Sequence, residues 1–335
     1  MRIAFCRRCS FENSQMRAAL AIVVAVLVCS AGPNASAQKY PTKPIRLISP
    51  FTPGGGTDIL SRILAGPVSE SLGQTVIVDN RPGAGGAVGA ELAARAEPDG
   101  YTLVTVSSSY TATAAFQKTP YDPVNGIQPI ILLGTTGLVL TVHSSVPSKS
   151  VKEFIAHAKA NPGRLNYATV GIGSVTHLGH EHLKLLTGIN IVHVPYKGGS
   201  PALTAVVTGE SQLTMISIVP TLPHVRAGRL RALGVTTPKR MSPLPDVPSI
   251  NETVPGFDLV HWYGIWGPKG LHADIVARWN KEVAKVLLTE EMKRQMQGEG
   301  LETAGGPPEE LRKIVHRDVE KWRRVVKEAR IRRED

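Results

Sequence analysis

The chain has 335 residues, three cysteines, and 38 basic against 27 acidic residues, a formal charge of +11. Cys6, Cys9 and Cys29 all lie near the start, so nothing downstream can form a disulfide or a Cys-metal site. A modest positive excess attracts anions weakly and does not by itself make a nucleic-acid surface.

At the N-terminus, Arg2, Arg7, Arg8 and Arg17 precede an apolar run from Ala18 to Val28 that is too short to span a bilayer comfortably. Ala35-Ser36-Ala37 before Gln38 is the A-x-A pattern cut by a signal peptidase. Residues 1–37 are therefore read as a signal peptide cleaved after Ala37, and the mature chain is expected in the periplasm. Translation from Met1 or Met16 gives the same product. Val28 before Cys29 departs from a lipobox, and Arg7-Arg8 reads as part of a basic region, so Sec-type export of a soluble protein is expected. Removing four arginines and one glutamate with this segment leaves 34 basic against 26 acidic residues, +8 over 298 residues.

Ile45 to Ile48 then reads as a strand ending in Pro53-Gly54-Gly55-Gly56, followed by Ile59, Leu60, Ile63, Leu64 and Val68 at helical spacing. Thr75 to Val78 is a second strand, Pro82 to Gly86 a glycine-rich loop, Ala87 to Ala96 a helix and Tyr101 to Val106 a third strand. The same grammar continues through Gly137 to Val142, the helix Val151 to Ala160, Leu165 to Ala168, the helix Val175 to Leu186, Ile191 to Val194, the helix Ala202 to Val207, Leu213 to Val219 and Leu230 to Val235. Pro238 to Pro248 carries four prolines and reads as a loop. His261 to Trp266 reads as a strand, and Ala273 to Leu288 and Pro308 to Ala329 as helices. Strand, loop and helix in repetition imply an α/β fold with mostly parallel sheets and helices on both faces. The charged last segment interleaves Glu309, Glu310, Asp318, Glu320 and Glu328 with its basic residues and has only Trp322 as an aromatic, so it reads as a solvated amphipathic helix and not a nucleic-acid site.

Phe51-Thr52-Pro53-Gly54-Gly55-Gly56-Thr57-Asp58 is a strand end, a glycine run and a helix start. Its backbone N–H groups can point into open space, a positive φ or a close ligand approach is expected at Gly55, and a helix N-terminus with free donors binds anions. Gly171-Ile172-Gly173-Ser174-Val175-Thr176-His177 repeats the device, with Ser174 as helix cap. Two such loops facing each other at the carboxyl ends of strands would hold a carboxylate from both sides.

Enzyme motifs are weaker. Gly83 to Gly89 imitates a dinucleotide fingerprint, but Val88 stands at its sixth position and no acidic residue follows where a ribose would need one. No G-x-S-x-G elbow or Walker loop is present. His177, His180, Glu181 and His182 do not form H-E-x-x-H because Lys184 replaces the second histidine, and His193 is the nearest further ligand in sequence. A secreted hydrolase acting on a small carboxylated substrate is the alternative to a binding protein.

Together with Asn80 to Gly86, Asp99 to Leu103, Leu165 to Ala168, His193-Val194-Pro195-Tyr196-Lys197-Gly198 and Leu222 to Gly228, the two loops make the chain resemble the Bug (TctC-type) solute-binding proteins, the periplasmic receptors of tripartite tricarboxylate transporters. The similarity runs in order from about Tyr40 to the C-terminus. It implies a two-lobed, periplasmic-binding-protein-like fold of the type II, Venus flytrap kind. Lobe 1 would comprise residues 38–140 plus 262–335 and lobe 2 residues 141–261, with the ligand cleft between them. It also implies binding without catalysis, no cofactor and no metal, a monomer, no nucleic-acid partner, and possible membrane subunits of a tripartite system. The carried-over site is Phe51, Pro53, Gly54, Gly55, Gly56, Thr57 and Asp58 in the first loop and Gly171, Gly173, Ser174, Thr176 and His177 in the second. Ser107, Ser108, Ser109, Tyr196, Lys197 and Ser217 complete it. One departure is Thr214-Met215-Ile216-Ser217 after Leu213, where family members commonly read Met-Phe followed by a small or acidic residue; an acidic partner for a ligand amino group is missing there, which argues against amino-acid ligands.

Overall fold

The computed structural model describes residues 40–331, so the expected signal peptide lies outside the described residues. From Ile45 strands and helices alternate: β1 Ile45–Ser49, α1 Gly56–Leu72, β2 Val76–Asn80, α2 Ala87–Ala94, β3 Thr102–Ser107 and α3 Ser109–Phe116. β4 Ile127–Thr136 and β5 Leu138–His143 follow, then α4 Val151–Ala160, β6 Asn166–Thr169, α5 Val175–Thr187, β7 Val192–Pro195, α6 Gly199–Val207, β8 Leu213–Ser217, α7 Ile218–Arg226 and β9 Leu230–Val235. β10 His261–Pro268, α8 Ala273–Leu287, α9 Glu290–Gly298, β11 Glu302–Thr303 and α10 Pro308–Glu328 complete the chain.

Six strands form one sheet in the order β11-β4-β10-β3-β1-β2, and five form another in the order β7-β6-β8-β5-β9. The expectation of mostly parallel sheets needs correcting. β2-β1-β3 and β7-β6-β8 are parallel, but β10 is antiparallel to β3 and β4, β11 to β4, and β5 to β8 and β9. Parallel neighbours need a crossover connection, usually a helix. β4 and β5 are separated by Gly137 alone, and β10 arrives through an irregular segment, so none of these strands is held to the parallel direction.

These strands also carry the chain between the sheets. It passes from the first to the second at Gly137, where a Cβ would run into Met241 Sδ. It returns between β9 and β10, with Thr236 N donating to Leu138 O and Leu259 N to Thr236 O, so the two crossings lie side by side. A third link is α10. Leu311, Val315 and Val319 join the core of Ile48, Val104, Val106 and Trp262, whereas Trp322 and Val325 join that of Leu140, Tyr167 and Leu178. Trp262 Nε1 donates to Asp318 Oδ2 at 2.7 Å, which pairs the buried carboxylate of the helix with the first sheet.

The helix starting at Ile218 replaces the end of the expected strand Leu213 to Val219. Its Pro220 lies in the first turn, where a missing N–H costs nothing. Among the described residues no helix is long and apolar enough to cross a membrane.

Candidate functional site

β1, β3, β6 and β8 all end at one place, and a cavity of about 40 Å³ lies there between the two sheets. Five helices begin at its wall. Gly56 and Thr57 open α1, Ser109 opens α3, Val175 and Thr176 open α5, Gly199 opens α6, and Ser217 caps α7. The first amides of a helix have no partner within it, and the helix dipole is positive at that end. Phe51, Leu138, Val170 and Ile216 supply apolar wall, and Ser107, His261 and Tyr263 the remaining polar groups. No Lys, Arg, Asp or Glu lines the cavity. It is a ring of neutral donors suited to an anion.

Not every amide of the glycine loops is free to serve. Gly54 N donates to Asp58 Oδ2 at 2.9 Å and Gly55 N to Thr52 O at 3.2 Å, which leaves Gly56, Thr57 and Asp58 as the unpartnered first-turn amides of α1. Asp58 is turned to the loop, accepting also from Arg62 and Asn80. Burial opposes its ionisation, but the hydrogen bonds from Arg62, Gly54 and Asn80 outweigh that and hold the carboxyl below its usual range. In the second loop Gly173 N donates to His177 Nδ1, Ser174 N to Gly171 O, Val175 N to Ser109 Oγ and His177 N to Ser174 Oγ. Thr176 N remains. The free donors therefore begin at Gly56 in the first loop, two residues past Gly54, and lie three residues past Gly173 in the second.

The glycines shape the loops. Gly54 has φ +76° and Gly173 +74°, but Gly55 is extended at φ −77°, so of the two alternatives expected at Gly55 the positive angle falls at Gly54 instead, while Gly55 itself lines the cavity. Gly55 closes the approach to Gly199, whose N would lie 3.8 Å from a Cβ placed there, and a Cβ on Gly56 would run into the Tyr263 hydroxyl.

Of the residues expected at the site, Phe51, Gly55, Gly56, Thr57, Ser107, Ser109, Thr176 and Ser217 line the cavity. Gly171, Tyr196 and Lys197 instead line a neighbouring cavity of about 190 Å³ with Gly83 to Gly85, and Val170 is common to both. Asp58, Ser108, Gly173, Ser174 and His177 are buried outside the wall, and Pro53 and Gly54 are exposed on the first loop. Pro53 O accepts from Ser200 Oγ at 2.7 Å, a bond between the first loop and α6. Sequence reasoning missed Leu138, Val170, Val175, Gly199, Ile216, His261 and Tyr263. The alternation along β10 puts His261 and Tyr263 on one face and was the available signal for that pair.

His177, His180 and His193 turn out to stack with Tyr167 behind the second loop, whereas His182 stacks on Phe257. His180 lies 4.4 Å from the Tyr167 ring, Tyr167 5.0 Å from His193, and His193 4.0 Å from His177, all nearly parallel. Each of the three is hydrogen-bonded: His177 Nδ1 accepts from Gly173 N of the loop, His180 Nδ1 meets Thr176 O one turn back in its own helix, and His193 Nε2 meets Thr169 Oγ1 at the end of β6. Burial pushes His177 and His180 down to about 4 and His193 down to about 3. Among the described residues no group of three or more His, Cys, Asp or Glu is placed to hold a metal.

His261 is buried and its Nδ1 lies 2.5 Å from Ser108 Oγ. Burial alone pushes it down to about 3, with no charged group contributing. A serine beside a histidine is half of a hydrolytic arrangement, but no carboxylate acts on this ring.

Residues 60–331 match the family described as tripartite tricarboxylate transporter family receptor. Protein BugT of Bordetella pertussis is 33% identical over 316 residues, covering 92% of this chain and 97% of BugT. Among solved structures, R. palustris Rpa4515 with adipate is 35% identical, with a TM-score of 0.84 over 87% of this chain and 98% of that one. MatC from Rhodopseudomonas palustris with bound malate is 30% identical, with a TM-score of 0.82 over 86% and 100%. These are binding proteins, which sets aside the hydrolase alternative.

Proposed function

The chain belongs to the tripartite tricarboxylate transporter receptor family, and on that premise we propose that it is an exported receptor that captures a small di- or tricarboxylate or aromatic acid between two lobes. The observation that carries this reading is the cavity wall, where the starts of α1, α3, α5 and α6 and several hydroxyls offer donors, the first amides of α7 being taken by Gly137 O and Ser217 Oγ, and no side chain offers a charge. Such a wall recognises a carboxylate through fixed dipoles that cost no reorganisation. An α-ammonium group would find no carboxylate there, in keeping with the missing acidic residue near Ser217.

The lobes are taken as 38–140 plus 262–335 and 141–261, a division supported by the crossings at Gly137 and between β9 and β10. The mature chain would begin at Gln38 in the periplasm. It would act as a monomer that hands its ligand to the membrane subunits of a tripartite system or reports it to a sensing system. The bound acids of the two solved neighbours, adipate and malate, support the ligand class.

The test is a melting screen of the chain from Gln38 against adipate, malate, citrate, benzoate, glutamate and the diamide of adipate. A true ligand at about 100 times its dissociation constant stabilises by about 2.7 kcal/mol, and mass spectrometry should recover it unchanged. Stabilisation by glutamate or the diamide and by none of the other acids would refute the reading.

A further inference from the structure

We propose that His261 is a specificity-determining residue of the cavity: the Ser108 hydroxyl fixes its ring as the neutral Nε2–H form, which presents an N–H that a carboxylate oxygen can accept and an amine or amide NH2 cannot. The inference rests on the reading of the cavity as a carboxylate site and names the side chain that enforces it.

The case is an accounting of hydrogens. Ser108 is buried, caps α3 without accepting from a helix amide, and has His261 Nδ1 as the one hydrogen-bond partner of its hydroxyl among the described residues. If Nδ1 carried the proton and donated to Ser108 Oγ, the serine hydrogen would be buried without an acceptor. With the serine donating to Nδ1, both atoms are satisfied, and the ring proton sits on Nε2. Nε2 is then the ring's remaining polar atom, on a residue that lines the cavity. Ser108 is held for the task, its N donating to Trp262 O and its O accepting from Thr111 Oγ1. The Tyr263 ring stands edge-on to His261 at 4.7 Å and fixes its plane. Because the ring is sealed and faces no charged group, it acts as a neutral donor and not as an ion-pair partner. A ligand donor placed against Nε2–H would leave two donors opposed in a desolvated site, which is costly.

The experiment uses the chain from Gln38 with 15N-labelled histidine, and long-range 1H–15N correlation spectra between pH 5.5 and 8. His261 is assigned by comparison with His261→Gln. The expected pattern is a neutral Nε2–H imidazole throughout, shifted toward a tautomer mixture in Ser108→Ala. In calorimetry with whichever of adipate or malate binds, His261→Ala should weaken binding about ten-fold or more, while His261→Gln, whose amide can reach the same region, should stay within about three-fold. A neutral Nδ1–H or charged ring in the wild type would overturn the proposal. So would equal weakening by Ala and Gln in variants that melt like the wild type. If neither acid binds the wild type, the ligand class proposed above fails for these acids, and the tautomer measured by NMR still decides the role assigned to Ser108 and His261.

Discussion

Tyr263 Oη donates to Ser217 Oγ at 2.8 Å, joining β10 in the first sheet to the end of β8 in the second across the cavity. Burial raises the phenol far above its ordinary range, so it stays a donor at any working pH. Gly56 leaves room for this hydroxyl, since any side chain there would displace it. Tyr263→Phe removes the bond while keeping the ring. With a net worth of about 1 kcal/mol, its loss should weaken acid binding about five-fold in calorimetry and leave ligand-free melting close to the wild type. A fall in melting temperature with unchanged affinity would make the bond a structural tie with no part in capture.

The buried imidazoles predict how stability changes with pH. His177 and His180 titrate at about 4 and His193 and His261 at about 3 in the folded chain, against 6.5 when exposed. The unfolded chain therefore takes up protons that the folded chain refuses. Their contribution to stability is complete above about pH 7 and is lost as the pH falls through 6 and 5 toward the folded values. Each withheld proton gives a slope of about 1.4 kcal/mol per pH unit. Urea unfolding at pH 7.5, 6 and 5 should show this fall in a window above most carboxylate titrations. His193→Phe, which keeps a ring between Tyr167 and His177, should make the slope shallower by about one proton. Equal slopes in the two proteins would mean that the stack is not what withholds the protons.

Much of this architecture was legible in the chain because its signals are local. The glycine runs before Thr57 and Ser174, the helical spacing of Leu60, Leu64 and Val68, and the strand at Ile45 all belong to short windows. What escaped depends on contacts distant in sequence. β4 contains Pro129 and ends one residue before β5, so nothing local separates two strands that belong to different sheets. α7 carries Pro220 and Pro223, which read against a helix; the first turn's freedom from hydrogen bonding accommodates Pro220, but Pro223 lies inside the helix. At the site, the two loops were visible, but which amides remain free depends on Asp58 reaching back to Gly54 and on Ser109 meeting Val175 N from 66 residues away. His261 and Tyr263 reach the cavity only because β10 returns between β3 and β4.

Backbone geometry and side-chain charge make opposite demands on the site, and two substitutions separate them. Gly56 is the first residue of α1 and does not have a positive φ, so alanine suits its backbone and the helix accepts it readily. The added Cβ nevertheless displaces the Tyr263 hydroxyl from the wall beside Ser217. Gly56→Ala should keep ligand-free melting within a few degrees, about what a kcal/mol or less shifts, and weaken acid binding about ten-fold or more. Lys197 lines the neighbouring cavity and makes no ion pair among the described residues, so its charge is available to draw an anion toward the entrance without holding it. Lys197→Ala should slow association about two- to three-fold at low salt, with the difference vanishing near 0.3 M, where the screening length is under 8 Å. Stopped-flow association at two salt concentrations, alongside calorimetry of both variants, reads the two effects separately. Unchanged affinity in a folded Gly56→Ala protein, together with a salt-insensitive loss of binding in Lys197→Ala, would place the carboxylate on the lysine in the outer cavity and remove it from the ring of helix starts.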